Sequence, residues 1–240
     1  MKVRPVHFLL GLGLLTSIAC LGGTDSSEFQ VSPRVRLAFL GSLTGAAALY
    51  RVDGATEVEL VSITDGSAPS DFVSVGEIQN YADAVSLRVK ANNQVLETRS
   101  FTLTAGSKNT VAVASQGQTA PRIQNFPISQ IAVPVGQWNF AFGHMAVGYT
   151  GAVDVYVIRG TETIQTAGRA FASVGQYAGT TYRLGDTPGN SIVICPAGTR
   201  QPLVTIPYPT TTAIPGRRFT VFLRGTGQGQ GSLSTFITAD

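Results

Sequence analysis

The chain predicts an all-β protein made of two antiparallel sandwich domains, and three observations carry that expectation. Short runs of β-branched and aliphatic residues recur along it, several alternating polar and apolar with a period of two, as half-buried strands do. The 27 glycines and 12 prolines among 240 residues break those runs at short intervals and leave little room for long helices. The order of landmarks in the first half returns in the second, the mark of a duplicated unit.

The first element is an export signal rather than a part of the fold. Met1–Cys20 begins with the basic residues Lys2 and Arg4. It continues through the apolar centre Phe8–Leu15 and ends in Ser17-Ile18-Ala19-Cys20. The apolar centre is too short for a membrane span, which needs about 20 residues. Ala19-Cys20 resembles a bacterial lipobox, in which the cysteine is acylated and becomes the new N-terminus. Ser17-Ile18-Ala19 also satisfies the small-x-small rule of ordinary signal peptidase, which would release a soluble chain. Gly22-Gly23-Thr24-Asp25-Ser26-Ser27 then reads as a flexible tether between a lipid anchor on Cys20 and the first strand. The expected boundaries are 1–19 for the signal, 20–33 for the tether, 34–133 for the first sandwich and 134–240 for the second. The expected location is the outer side of the cytoplasmic membrane, anchored through Cys20, and the outer membrane if there are two.

In the first unit, Arg34–Leu40 opens as a strand, followed by Ala46–Val52 and the alternating Glu57–Ile63. Ala84–Lys90 is the clearest strand, with Val85, Leu87 and Val89 facing one way and Ser86, Arg88 and Lys90 the other. Asn92-Asn93 predicts a tight hairpin turn, because asparagine tolerates the positive φ of primed turns. Leu96–Leu103 and Thr110–Ala114 follow. Arg122–Ile128 holds Pro127, which suits an edge strand.

The second unit is organised around Gly151–Gly160, with the core strand Ala152-Val153-Asp154-Val155-Tyr156-Val157. Phe72-Val73-Ser74-Val75-Gly76 is echoed by Phe171-Ala172-Ser173-Val174-Gly175. Gly106 followed by Thr110 is echoed by Gly216 followed by Thr220, and Tyr50 and Tyr156 each stand four places before a glycine. Ser232–Thr238 is the counterpart of the proline-bearing edge strand, after a glycine-rich hairpin loop. Two units of roughly 90–100 residues are the size of immunoglobulin-like sandwiches.

These landmarks resemble domain-of-unknown-function family 4397, found in exported bacterial and archaeal proteins, often in tandem. The resemblance is carried by His144-Met145-Ala146, Ala152–Val157, Phe171–Gly175 and Pro196-Ala197-Gly198. The first unit departs from it, with no histidine and with Ala48 where Asp154 falls. The resemblance implies an extracytoplasmic β-sandwich and assigns no catalytic residue.

Charge and composition narrow the function classes. Lys2 and Arg4 leave with the signal, taking the formal +3 to +1, too little for the electrostatic footprint of a nucleic-acid binder. Cys20 and Cys195 are the two cysteines, so no disulfide framework is expected, and Cys195 reads as a small buried hydrophobe at the end of Ser191–Cys195. His144 is the one histidine after the signal, and no second histidine or cysteine accompanies it as a metal ligand or base partner. Asp154 and Tyr156 share the face of their strand opposite Val153, Val155 and Val157. That face is read as solvated, or as holding an Asp154 hydrogen-bonded to the neighbouring loop, or as a contact for a cation, a glycan or a protein. Trp138 is expected to pack between sheets or domains rather than stack on a sugar, and Arg217-Arg218 to lie at a solvated corner. The expectation is an envelope lipoprotein with a structural or binding role, no catalytic residue, no metal and no cofactor. Its candidate ligand contacts are Asp154, Tyr156 and His144, and its candidate partners are the membrane, an envelope protein or a glycan. A hydrolase using His144 is the enzyme alternative.

Overall fold

In the computed structural model the described residues are 31–41, 45–64, 68–116, 119–128, 132–133, 139–147, 149, 151–159, 162–169, 174–176, 191–207, 218–225 and 233–240. Cys20 with the rest of 1–30, Trp138, Arg217 and the landmarks 171–173 and 215–216 lie outside them, as does the glycine-rich stretch 226–230. The described elements are all strands, as the alternating pattern predicts.

The first half contains β1 (Arg34–Phe39), β2 (Ala47–Asp53), β3 (Thr56–Ile63), β4 (Val73–Ser74), β5 (Ala82–Ala91), β6 (Gln94–Thr104), β7 (Lys108–Gln116) and β8 (Thr119–Ile128). The second contains β9 (Asn139–His144), β10 (Val153–Arg159), β11 (Glu162–Arg169), β12 (Val174–Gln176), β13 (Ser191–Pro196), β14 (Val204–Pro207), β15 (Arg218–Gly225) and β16 (Leu233–Ala239). They form four sheets of four strands, ordered β4-β1-β7-β8, β3-β2-β5-β6, β12-β9-β15-β16 and β11-β10-β13-β14. Adding eight to each strand of the first two sheets reproduces the last two. The pairing types repeat as well: β1 with β7 and β9 with β15 are parallel, and the other pairs are antiparallel.

Each pair of sheets encloses a core. Val35, Leu37 and Phe39 of β1 and Val111 and Val113 of β7 meet Leu49, Val85, Leu87, Val89 and Leu103 of the facing sheet. In the second half Val153, Val155 and Val157 of β10 and Ile192 and Ile194 of β13 meet Phe142, Phe219, Val221 and Leu223. Asn92 and Asn93 have φ of 50° and 63° and close the β5–β6 hairpin as expected.

A third core joins the halves. The residues of β1, β7 and β8 that face away from the first core, including Ala38, Ala112, Ala114 and Phe126, pack on Met145, Val147, Phe222 and Phe236. The molecule is therefore a stack of four sheets whose two inner layers are covered on both faces. That explains why Val35–Phe39 is buried without a break although Arg34-Val35-Arg36-Leu37 alternates in sequence. Phe126 and Phe222 meet edge to face across this junction, with centroids 4.9 Å apart. Gly143 lies beneath them, where a Cβ would sit 2.6 Å from Phe126 Cε1 and 2.7 Å from Phe222 Cδ1.

One ion pair is buried in the same junction. Arg36 of β1, 4% exposed, donates from Nε to Thr110 Oγ1 at 2.9 Å, from Nη1 to Ala239 O at 2.7 Å and from Nη2 to Thr238 Oγ1 at 2.9 Å. It also pairs with the Asp240 carboxylate, whose other oxygen accepts from Thr220 Oγ1 at 2.9 Å. The Phe72 ring covers the guanidinium at 4.5 Å. Burial pushes the Asp240 carboxyl above its ordinary value, with Arg36 and the threonine hydroxyls pulling it back.

Edge strands are managed by side chains. Ile123 of β8 donates its N–H to Glu97 Oε2 at 2.5 Å, and its carbonyl accepts from Arg99 Nη1 at 3.0 Å. Two groups on the outer edge of β8 are thereby closed to another strand. Arg218, expected at a solvated corner, instead begins β15 half-buried with a buried Nε, because β15 lies inside a sheet between β9 and β16.

Candidate functional site

The sequence-selected residues of the second half lie at one end of β10 and in the turns beside it. Asp154 and Tyr156 occupy neighbouring outward positions on β10, since Val153, Val155 and Val157 are committed to the core. That face is not solvated here: Asp154 is 2% and Tyr156 6% exposed. Asp154 bonds to the neighbouring loop.

The loop in question follows β13. Asp154 is the Cα partner of Cys195, and just beyond it the chain turns through Pro196-Ala197-Gly198-Thr199. Gly198 takes a φ of +76°, which a side-chain-bearing residue adopts only at a cost. Its N–H donates to Asp154 Oδ2 at 2.8 Å. The Tyr156 hydroxyl donates to Thr199 O at 3.0 Å. Within the turn, Thr199 N–H and its hydroxyl reach Pro196 O at 3.0 and 2.9 Å. Two side chains of one strand thus hold one turn at consecutive residues, one as acceptor and one as donor. The co-occurrence of Asp-x-Tyr with Pro-Ala-Gly-Thr in the sequence is the signal that could have paired them.

His144 ends β9 and is fully buried. Its Nε2 is 2.8 Å from Gly151 O, and its Nδ1 is 3.4 Å from Ala146 N. A carbonyl can only accept and a backbone N–H can only donate, so the ring carries its proton on Nε2 and accepts at Nδ1. Burial pushes the imidazole below its ordinary pKa, the bond to Gly151 pulling the other way. Tyr149 stacks beside it with centroids 6.2 Å apart. The histidine thereby ties the end of β9 to the chain entering β10.

Cys195 is buried as expected, and burial, with the Asp154 charge second, pushes its thiol above the ordinary value. That is the opposite of what a nucleophilic thiol requires. Among the described residues no group of three or more His, Cys, Asp or Glu side chains is placed to hold a metal ion.

Beside the turn, the outward face of β10 and β13 carries a half-open cavity of about 190 Å³. Tyr156, Ile158, Val193 and Cys195 form its walls, with Thr163 and Arg200 among its remaining lining residues. The exposed Arg200 guanidinium lies 5.9 Å from the Tyr156 ring centre. Sequence inspection singled out neither Arg200 nor the cavity, because the loop that brings them together carries no periodic pattern.

No family model and no curated protein matches this chain.

Proposed function

We propose that the chain is an exported cell-envelope lipoprotein of family 4397 type, held to the membrane through Cys20, in which two immunoglobulin-like sandwiches provide shape and attachment rather than turnover. The observation that carries the non-catalytic part is how Asp154, Tyr156 and His144 are engaged. Each bonds to backbone groups of its own turns, whereas an acid, base or nucleophile must face a substrate. The shared core between the halves supports the same reading, since it suits a stiff spacer better than a hinged cleft. The sequence Ser17-Ile18-Ala19-Cys20 and the polar stretch after it support the anchor.

Metabolic labelling with a palmitate analogue tests the anchor. Label on the wild-type chain and none on Cys20→Ala, with the variant leaving the membrane fraction, is the expected result. Absence of label on both would remove the anchor, and equal label on both would remove Cys20 as its site.

A recognition role toward an envelope glycan or protein would act through the turn that Asp154 and Tyr156 support. Binding to envelope glycans that survives the combined Asp154→Ala and Tyr156→Ala substitutions counts against it.

A further inference from the structure

We infer that the cavity on the outward face of β10 and β13 is a binding site for a small carboxylate with a compact apolar body, such as an aromatic acid of benzoate size. The inference concerns the second half alone and does not depend on the anchor at Cys20.

The walls set the body of the ligand. Tyr156, Val193 and Cys195 form a buried cluster of their own, with Ile158 packed against it, separate from the three cores that hold the sheets together. The Tyr156 hydroxyl is bonded to Thr199 O and turned to the loop, so the tyrosine offers its ring to the cavity. At about 190 Å³ the space slightly exceeds the roughly 150 Å³ that accepts one benzene. It has room for one ring and a small head group. A sugar would leave most of its hydroxyls against these apolar walls without partners.

Charge sets the head group. Among the described residues no carboxylate pairs with Arg200, whose one contact there is with the face of Tyr156. The nearby Asp154 is turned to Gly198. An exposed guanidinium beside an apolar pocket matches a carboxylate in charge and in its paired N–H geometry.

The test uses the full chain with isotope-labelled isoleucine and valine methyl groups, titrated with benzoate and separately with benzyl alcohol. Saturable shifts of the Ile158 and Val193 methyls with benzoate, and weaker binding of the neutral alcohol, are expected. Arg200→Gln should weaken benzoate about tenfold, the worth of a charge-assisted hydrogen bond, and leave the alcohol unchanged. Val193→Phe should abolish both by filling the space. Because that variant could disturb the sheet, its circular dichroism is compared with wild type, and Arg200→Gln decides the matter independently. Absence of saturable shifts in the wild type overturns the site. Equal binding of acid and alcohol, or benzoate affinity indifferent to Arg200→Gln, overturns the carboxylate assignment.

Discussion

The pair that joins Arg36 to Asp240 should be costly to break from one side and much less costly to remove altogether. Arg36→Met keeps most of the stem's volume but withdraws the donors serving Thr110, Thr238, Ala239 and Asp240. It leaves a buried carboxylate supported by Thr220 and Thr238 hydroxyls alone. Removing one partner of such a pair costs about 3–5 kcal/mol, most of it from the stranded charge. Asp240→Leu strands the guanidinium instead and falls in the same range. With both replaced, neither charge of the pair is left stranded, and the double variant should cost less than either single one. The coupling energy should then be about 2 kcal/mol or more. Urea unfolding followed by circular dichroism reads these values: a loss of about 3 kcal/mol lowers the midpoint by about 1 M or more. Costs that simply add, or single losses below about 1 kcal/mol, would refute the reading of the pair as buried and mutually dependent.

The same pair has a pH signature with a definite sign. The folded chain holds the Asp240 carboxyl above its unfolded value, burial being the larger cause. The folded state therefore binds that proton more readily, and this contribution is full below about pH 3.9 and declines as pH rises through the folded value. Arg36 stays charged throughout the accessible range, so its lowering by burial adds no slope there. Subtracting the pH profile of Asp240→Asn from that of the wild type should isolate the declining contribution.

Three further predictions test other parts of the stack. His144, lowered by burial, should stabilise fully above about pH 6.5 and lose that contribution as pH falls through its folded value; the wild-type profile minus that of His144→Gln should show the loss, and a flat difference would contradict it. Gly143→Ala pushes a methyl into Phe126 and Phe222 and should cost about 1–3 kcal/mol as an overpacked core does, measured by thermal or urea unfolding. Asp154→Ala removes the acceptor of the Gly198 N–H, with an expected cost of about 1–3 kcal/mol and faster amide hydrogen exchange at Gly198; unchanged exchange would show that the turn holds itself.

What the sequence revealed and what it hid follow from the range of the interactions. Val85, Leu87 and Val89 could be assigned to one face because a strand's alternation is local. Asn92-Asn93 was legible because positive φ is a property of two residues. The parallel pairing of β1 with β7 was not legible, since Arg34 and Lys108 meet across the whole of the first sandwich's other sheet. Arg36 stayed hidden for a related reason: in the alternating Arg34-Val35-Arg36-Leu37 it looks like an outward, solvated position until another sheet covers that face. Asp154 and Tyr156 were placed correctly on one face of β10, but their burial depends on a turn some 40 residues later in the chain.

The difference between the halves at this point has a physical cause. Tyr50 sits on β2 as Tyr156 sits on β10, and Ala48 stands where Asp154 does. In the first half β5 returns to β6 through the two residues Asn92 and Asn93, whose own backbone geometry closes the turn. No side chain from β2 is needed to hold it, and Tyr50 instead donates to Glu59 at 2.9 Å while Lys90 lies over its ring. In the second half β13 returns to β14 through the longer path Ala197–Leu203, whose first turn bonds to itself at Pro196 O and to β10 through two side chains. Asp154 and Tyr156 anchor it, and once anchored it carries Arg200 to the cavity. The longer turn, its two side-chain supports and the guanidinium beside the apolar space are thus one structural change. Transplanting Asn92-Asn93 in place of the Ala197–Leu203 connection should abolish the cavity while leaving the β10–β13 pairing intact.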